Sequence, residues 1–244
     1  MKYSQLIAAF LFLLIPFTST AQDFVPDRPG IGNGSFITPT GILGVETGAS
    51  LTGGNDVTQT DLGQILMRYG VTGKLELRAL LNSYSIVSFN DENESGFQDI
   101  GLGLKWNLIS GGQARLSALA EVSLPTGSEF FTADQTIPLF GLITDISLGT
   151  YSGVSVNLNY TPSVSDVERS WLLTVTPGVS IPSNSAVSVY AGYAGRFNEI
   201  SPDLSFLEAG LAFTAENGFQ FDLNSGYELE FETYFIGAGV AFTL

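Results

Sequence analysis

Along most of the chain, apolar residues recur at every second position. In the terminal stretch Tyr234, Ile236, Ala238, Val240, Phe242 and Leu244 alternate with Phe235, Gly237, Gly239, Ala241 and Thr243. A period of two places successive side chains on opposite faces of a strand, here one oily and one small. The same rule holds upstream. Ile100, Leu102, Leu104, Trp106 and Leu108 alternate with Asp99, Gly101, Gly103, Lys105 and Asn107. Leu207, Ala209, Leu211 and Phe213 alternate with Glu208, Gly210, Ala212 and Thr214. From Gly41 to Leu244 about twelve such segments follow one another, an even number, as in single-chain bacterial barrels.

The connectors alternate in length. Short ones run from Thr72 to Lys74, Ser110 to Gly112, Thr150 to Tyr151, Pro182 to Ser185 and Ala215 to Gly218. Longer ones run from Thr52 to Asp61, Ser88 to Gly96, Pro125 to Thr136, Thr161 to Ser170 and Asn198 to Pro202. Short turns on one rim and long loops on the other are the pattern of membrane barrels.

Alternation alone would also suit a soluble sandwich, so the faces decide. The apolar face is almost free of charge, and a charge at mid-membrane costs about 2–4 kcal/mol. Aromatics stand near strand ends, at Tyr69, Trp106, Tyr160, Trp171, Phe197, Phe219, Tyr227, Tyr234 and Phe242, where interfacial girdles belong. The opposite face carries both signs: Glu46, Arg68, Glu76, Arg78, Asp99, Lys105, Arg115, Glu121, Arg196, Glu208, Asp222 and Glu228. The expected fold is all-β, a transmembrane antiparallel up-and-down β-barrel of about 12 strands with short periplasmic turns and longer extracellular loops.

Composition sharpens the function classes. Charged residues are 14% of the chain, well under the quarter usual for soluble domains. A net charge of −15 opposes binding to nucleic acid, which needs clustered cations. Cysteine and histidine are both absent, which removes thiolate and imidazole nucleophile pairs and the usual zinc, haem and iron–sulfur ligands. The reading is a non-enzyme without a cofactor. Asp91, Glu92, Asn93 and Glu94 could offer oxygens to calcium, but such a run is the composition of a solvated loop, and no metal site is assigned.

Residues 1–21 read as a signal peptide: Lys2 precedes an apolar stretch from Leu6 to Phe17, and Ser19, Thr20 and Ala21 supply small residues for cleavage. Residues 22–40 are rich in proline and glycine and read as an extended segment. Residues 41–244 are the barrel.

The run Pro26-Asp27-Arg28-Pro29-Gly30 precedes Gly41, Glu46 and Gly48 of the first strand. Met67-Arg68-Tyr69-Gly70 leads to Glu76-Leu77-Arg78; Gln98-Asp99 leads through Gly101 and Gly103 to Lys105; Ser123-Leu124-Pro125-Thr126-Gly127 opens a loop. In order and spacing these resemble the outer-membrane β-barrel transporter family of the meta-pathway of phenol degradation. The resemblance spans the mature chain from about Pro26 and implies an outer-membrane channel or transporter for small, aromatic or hydrophobic molecules.

Two questions stay open at this level. The lumenal charges Glu46, Arg68, Glu76, Arg78, Asp99, Lys105, Arg115, Glu121, Arg196 and Glu208 suit a constriction that selects solutes, or a salt-bridged network that braces a closed barrel. Asp27, Arg28, Pro29 and Gly30 suit a plug in the lumen or mouth, or a plain linker. The alternative to a channel is a closed structural or adhesion barrel acting through its acidic loops. The expected partners are outer-membrane lipid, the barrel-assembly machinery during biogenesis and a small-molecule solute, with no nucleic acid.

Overall fold

A computed structural model describes residues 24–90, 92–182, 184–215 and 218–244. The expected signal peptide lies outside the described residues, as does Asp91. Fourteen strand segments form one antiparallel sheet: β1 (Leu43–Gly54), β2 (Val57–Thr72), β3 (Leu75–Leu81), β4 (Tyr84–Phe89), β5 (Glu92–Phe97), β6 (Ile100–Gly111), β7 (Ala114–Leu124), β8 (Ile137–Ser147), β9 (Ser152–Thr161), β10 (Ser170–Ile181), β11 (Asn184–Asn198), β12 (Leu204–Thr214), β13 (Gln220–Glu228) and β14 (Tyr234–Thr243). β2 pairs with β3 over its second half and with β4 over its first, and β5 continues into β6. β3 with β4, and β5 with β6, are therefore halves of two long staves, and the segments make a twelve-stave barrel.

The last strand closes the cylinder. β14 lies antiparallel to β1, from Gly44 opposite Thr243 to Gly53 opposite Tyr234. Among the described residues closure pairs each stave on both sides in a medium that offers no hydrogen bonds, and only the upper segment β5 has a single partner, β4.

Burial is inverted relative to a soluble protein. Arg68, Lys105, Glu46 and Glu76 are fully buried, whereas Trp106, Phe140 and Leu223 are more than half exposed on the outer face. A water-soluble sandwich would reverse this order. The fold is the transmembrane up-and-down barrel that the alternation predicts.

Outer aromatics meet in register on neighbouring staves. Phe140 faces Tyr160, Tyr160 faces Trp171, and Trp171 faces Phe197; further round, Tyr227 faces Tyr234. The Tyr160 and Trp171 rings lie 4.4 Å apart. The belt sits near the rim of long loops, where amphipathic rings suit an interface. Phe219, Phe221 and Phe242 stack near the other rim, which also holds the start of β1 and the end of β14.

Two of the expected long loops are corrected. The stretch from Thr52 to Asp61 is a tall hairpin that turns at Asn55 and Asp56, both at positive φ (50° and 62°). That pair gives the twist-matched two-residue turn that strand hairpins favour. The stretch from Ser88 to Gly96 is likewise paired, through β4 and β5. Both extend the wall instead of interrupting it.

The register also breaks along one line. β2 bulges at Gly63 and Gln64 (φ 101° and 39°), and the staves beside it break between β3 and β4 and between β5 and β6. Each break inverts the inward set. Asp61 and Arg68 lie seven positions apart, an odd spacing that a regular strand would put on opposite faces, yet both are buried inside.

Candidate functional site

The lumen is occupied by the chain's own N-terminal segment. Its entry is fixed beside Gly70, where Thr40 bridges to Gly70 and Gly41 N–H donates to the Gly70 carbonyl at 2.7 Å. A Cβ at Gly70 would collide with the Thr38 and Pro39 carbonyls, so glycine is required there for the segment to pass so close.

The segment is read by barrel side chains almost residue by residue. The Asp27 carboxylate accepts from Arg78 at 2.7 Å and from Lys105 at 2.8 Å, with Arg68 at 3.4 Å. The Asp27 and Arg28 amides donate to Glu46. The Arg28 guanidinium pairs with Asp222 at 3.1 Å, threading a gap that Gly48 and Gly239 leave open; a Cβ at Gly239 would strike it. The Pro29 carbonyl accepts from Asn224 at 2.7 Å. Ile31 N–H donates to Glu208, and Asn33 exchanges two hydrogen bonds with Asn157. Ser35 gives its amide and hydroxyl to Asp145, at 2.7 and 2.6 Å. Thr38 gives both of its donors to Glu76, each at 2.8 Å.

At the centre the charges form one network. Arg68 pairs with Glu46 at 2.7 Å and Glu76 at 3.0 Å, and donates to the Val25 and Phe36 carbonyls. Arg78 pairs with Glu76 and Glu121. Lys105 also donates to the Gly34 carbonyl at 2.8 Å. Three cations thus converge on one segment carboxylate, Asp27, while Glu46 and Glu76 face its backbone amides. Isolated buried charges would be costly, and mutual pairing offsets that cost.

The expected site residues therefore divide. Glu46, Arg68, Glu76, Arg78, Lys105 and Glu121 come together around Asp27, while Arg28, Pro29 and Gly30 lie further along the segment, against Asp222, Asn224 and Glu208. Glu208 meets the segment at Ile31 and takes the Tyr190 hydroxyl at 3.4 Å, but pairs with no cation among the described residues. Arg115 stacks on Phe36 at 4.4 Å. Asp99 lies apart: it caps the Thr126, Gly127 and Ala133 amides of the β7–β8 loop. Arg196 lines the loop-side cavity. Asp145, Asn157 and Asn224 hold the segment without having been singled out; their only sequence signal is a polar residue at an inward parity.

The segment parts the lumen into two cavities. One, of about 580 Å³, opens toward the loop rim and is lined by residues 27–33 with Gln64, Asn82, Gln98 and Arg196. The other, of about 540 Å³, opens toward the short turns and is lined by Phe36, Arg115, Asp145 and Tyr190. They share no lining residue.

Residues 26–244 match the family described as "Putative MetA-pathway of phenol degradation". The chain belongs to this family. Among solved structures it is similar to an outer membrane channel from Pseudomonas putida F1, at 12% identity and TM-score 0.63 over 89% of this chain and 99% of that one. It is also similar to the translocator domain of autotransporter NalP from Neisseria meningitidis, at 15% and 0.58 over 84% and 89%. The KdgM porin matches at 8% and 0.57 over 82% and 99%. At these identities the likeness establishes the fold. No curated protein matches the chain in sequence.

Proposed function

We propose that this family member is an outer-membrane channel for small molecules, of passive type, whose narrow charged lumen is closed in the described state by the segment around Asp27 to Thr38. The carrying observation is the pair of cavities that approach the segment from opposite rims without meeting. A barrel with a purely structural role would need neither vestibule. Membership in the family, together with this chain's likeness to an outer membrane channel, supports the same reading and the outer-membrane location.

The segment's grip is mainly polar, made of ion pairs and hydrogen bonds that water can replace, with Phe24 and Phe36 held under Arg68 and Arg115. It is thus a plug whose departure exposes chiefly charged and polar wall residues. Planar-bilayer recording of the full chain and of a variant lacking residues 26–38 tests this. The deletion is expected to conduct steadily and several-fold more than the full chain, with both folded by gel mobility. No conductance and no liposome flux from either would refute the channel.

A further inference from the structure

The loop-side cavity contains five charged lining residues, and four of them are satisfied. Asp27 is held by Arg78 and Lys105, Arg28 by Asp222, and Glu46 by Arg68. Asp61 takes hydrogen bonds from Gln59, Ser85 and Gln98. Arg196 is the exception: among the described residues it makes no ion pair, and its side chain is exposed into the cavity.

Its surroundings are apolar. In register, Arg196 stands directly between Leu172 on β10 and Leu204 on β12. The next inward position on β12 is Phe206, and Phe235 lines the same cavity. The nearby acid on that wall, Glu228, is already engaged by the Ser205, Glu230 and Phe231 amides. An unpaired guanidinium framed by leucine and phenylalanine is complementary to a carboxylate on an apolar body. It offers a charge-assisted, bidentate contact to the head and dispersion and ring contacts to the rest.

We infer that the loop-side vestibule is a binding site for small monocarboxylates with an aromatic or comparably apolar body, with Arg196 taking the carboxylate and Leu172, Leu204, Phe206 and Phe235 the body. A cavity of about 580 Å³ lies in the size range of small-molecule sites. The inference rests on the channel reading, because it names the class of solute, but binding to the closed protein does not require passage.

Isothermal titration of the full chain in detergent with sodium benzoate tests it. Benzoate binds saturably, and benzyl alcohol, of similar shape without the charge, binds at least about tenfold more weakly, as loss of a charge-assisted contact implies. R196Q weakens benzoate by a similar factor, R196K retains part of the affinity, and K74Q, the same charge change at an exposed turn, leaves it unaltered. Gel mobility confirms that each variant is folded. The inference is overturned by the absence of saturable benzoate binding, by R196Q binding as wild type does, by benzyl alcohol binding as tightly, or by an equal loss in K74Q. Benzoate binding without flux in liposomes would overturn passage and leave the site standing.

Discussion

At Arg68 a single solvent-free guanidinium holds Glu46, Glu76 and Asp27 and two segment carbonyls. Its removal leaves Glu46 buried without a counter-charge, while Asp27 and Glu76 keep Arg78. Arg68→Met is expected to cost about 3–5 kcal/mol, measured by urea unfolding in lipid vesicles. Glu208 gives the opposite expectation. It is buried, and its Oε1 has no partner among the described groups, so the charge is paired with nothing there. Glu208→Gln keeps an acceptor for Ile31 and removes an unpaired buried charge, so it should leave stability unchanged or raise it. A loss on the Arg68 scale would show that the carboxylate answers a cation. Gly70→Val, finally, should dislodge Pro39 and Thr38 from the wall and increase protease access to the segment while the barrel stays folded.

At the scale of elements, the strands were legible because each stave writes its own period of two, and the final strand writes it without interruption. The bulge at Gly63 was not legible: it changes parity by one residue, and a run read with one phase cannot show the switch. In sequence Asp61 reads as a loop residue, although it faces the lumen beside Ser85 and Gln98. The plug's receptor was legible only as a list of inward charges. Arg68, Arg78 and Lys105 stand on neighbouring staves, but that Asp27 would meet them depends on the N-terminal segment folding back into the lumen, which no local pattern encodes. The outer loops yield a pH test. Glu168 accepts from the Ile200 and Ser201 amides, joining the β9–β10 and β11–β12 loops. Hydrogen bonds from Ser201, then Ile200, hold its carboxyl below the ordinary value of 4.5. A depressed carboxyl stabilises its folded contacts above that ordinary value and loses the effect as pH falls through the depressed one. The amide resonances of Ile200 and Ser201 should therefore shift with a midpoint below 4.5, and Glu168→Gln should reproduce the acid-side spectrum at neutral pH.

For the molecule as a whole, the outer surface and the lumen have exchanged the usual roles of surface and core. Leu223 lies on the outer face, in register between Leu211 and Ala238, in the middle of the apolar band. Leu223→Arg should destabilise the barrel by about 2–4 kcal/mol in bilayers, the cost of a cation at the midplane. The same substitution at the rim residue Leu244 should cost about 0–1 kcal/mol. The barrel and its lipid face followed from the pattern of the chain, together with the family; the closed state followed only from the three-dimensional path of residues 24–42. That closure can be toggled in one molecule. The chain has no cysteine, and the Ser35 hydroxyl touches the Asp145 carboxylate at 2.6 Å, so Ser35→Cys with Asp145→Cys offers a tether between plug and wall. Single-channel conductance of this variant should be suppressed when oxidised and should appear on adding reductant. Equal conductance in the two states, with the cross-link verified by mass spectrometry, would contradict the plug.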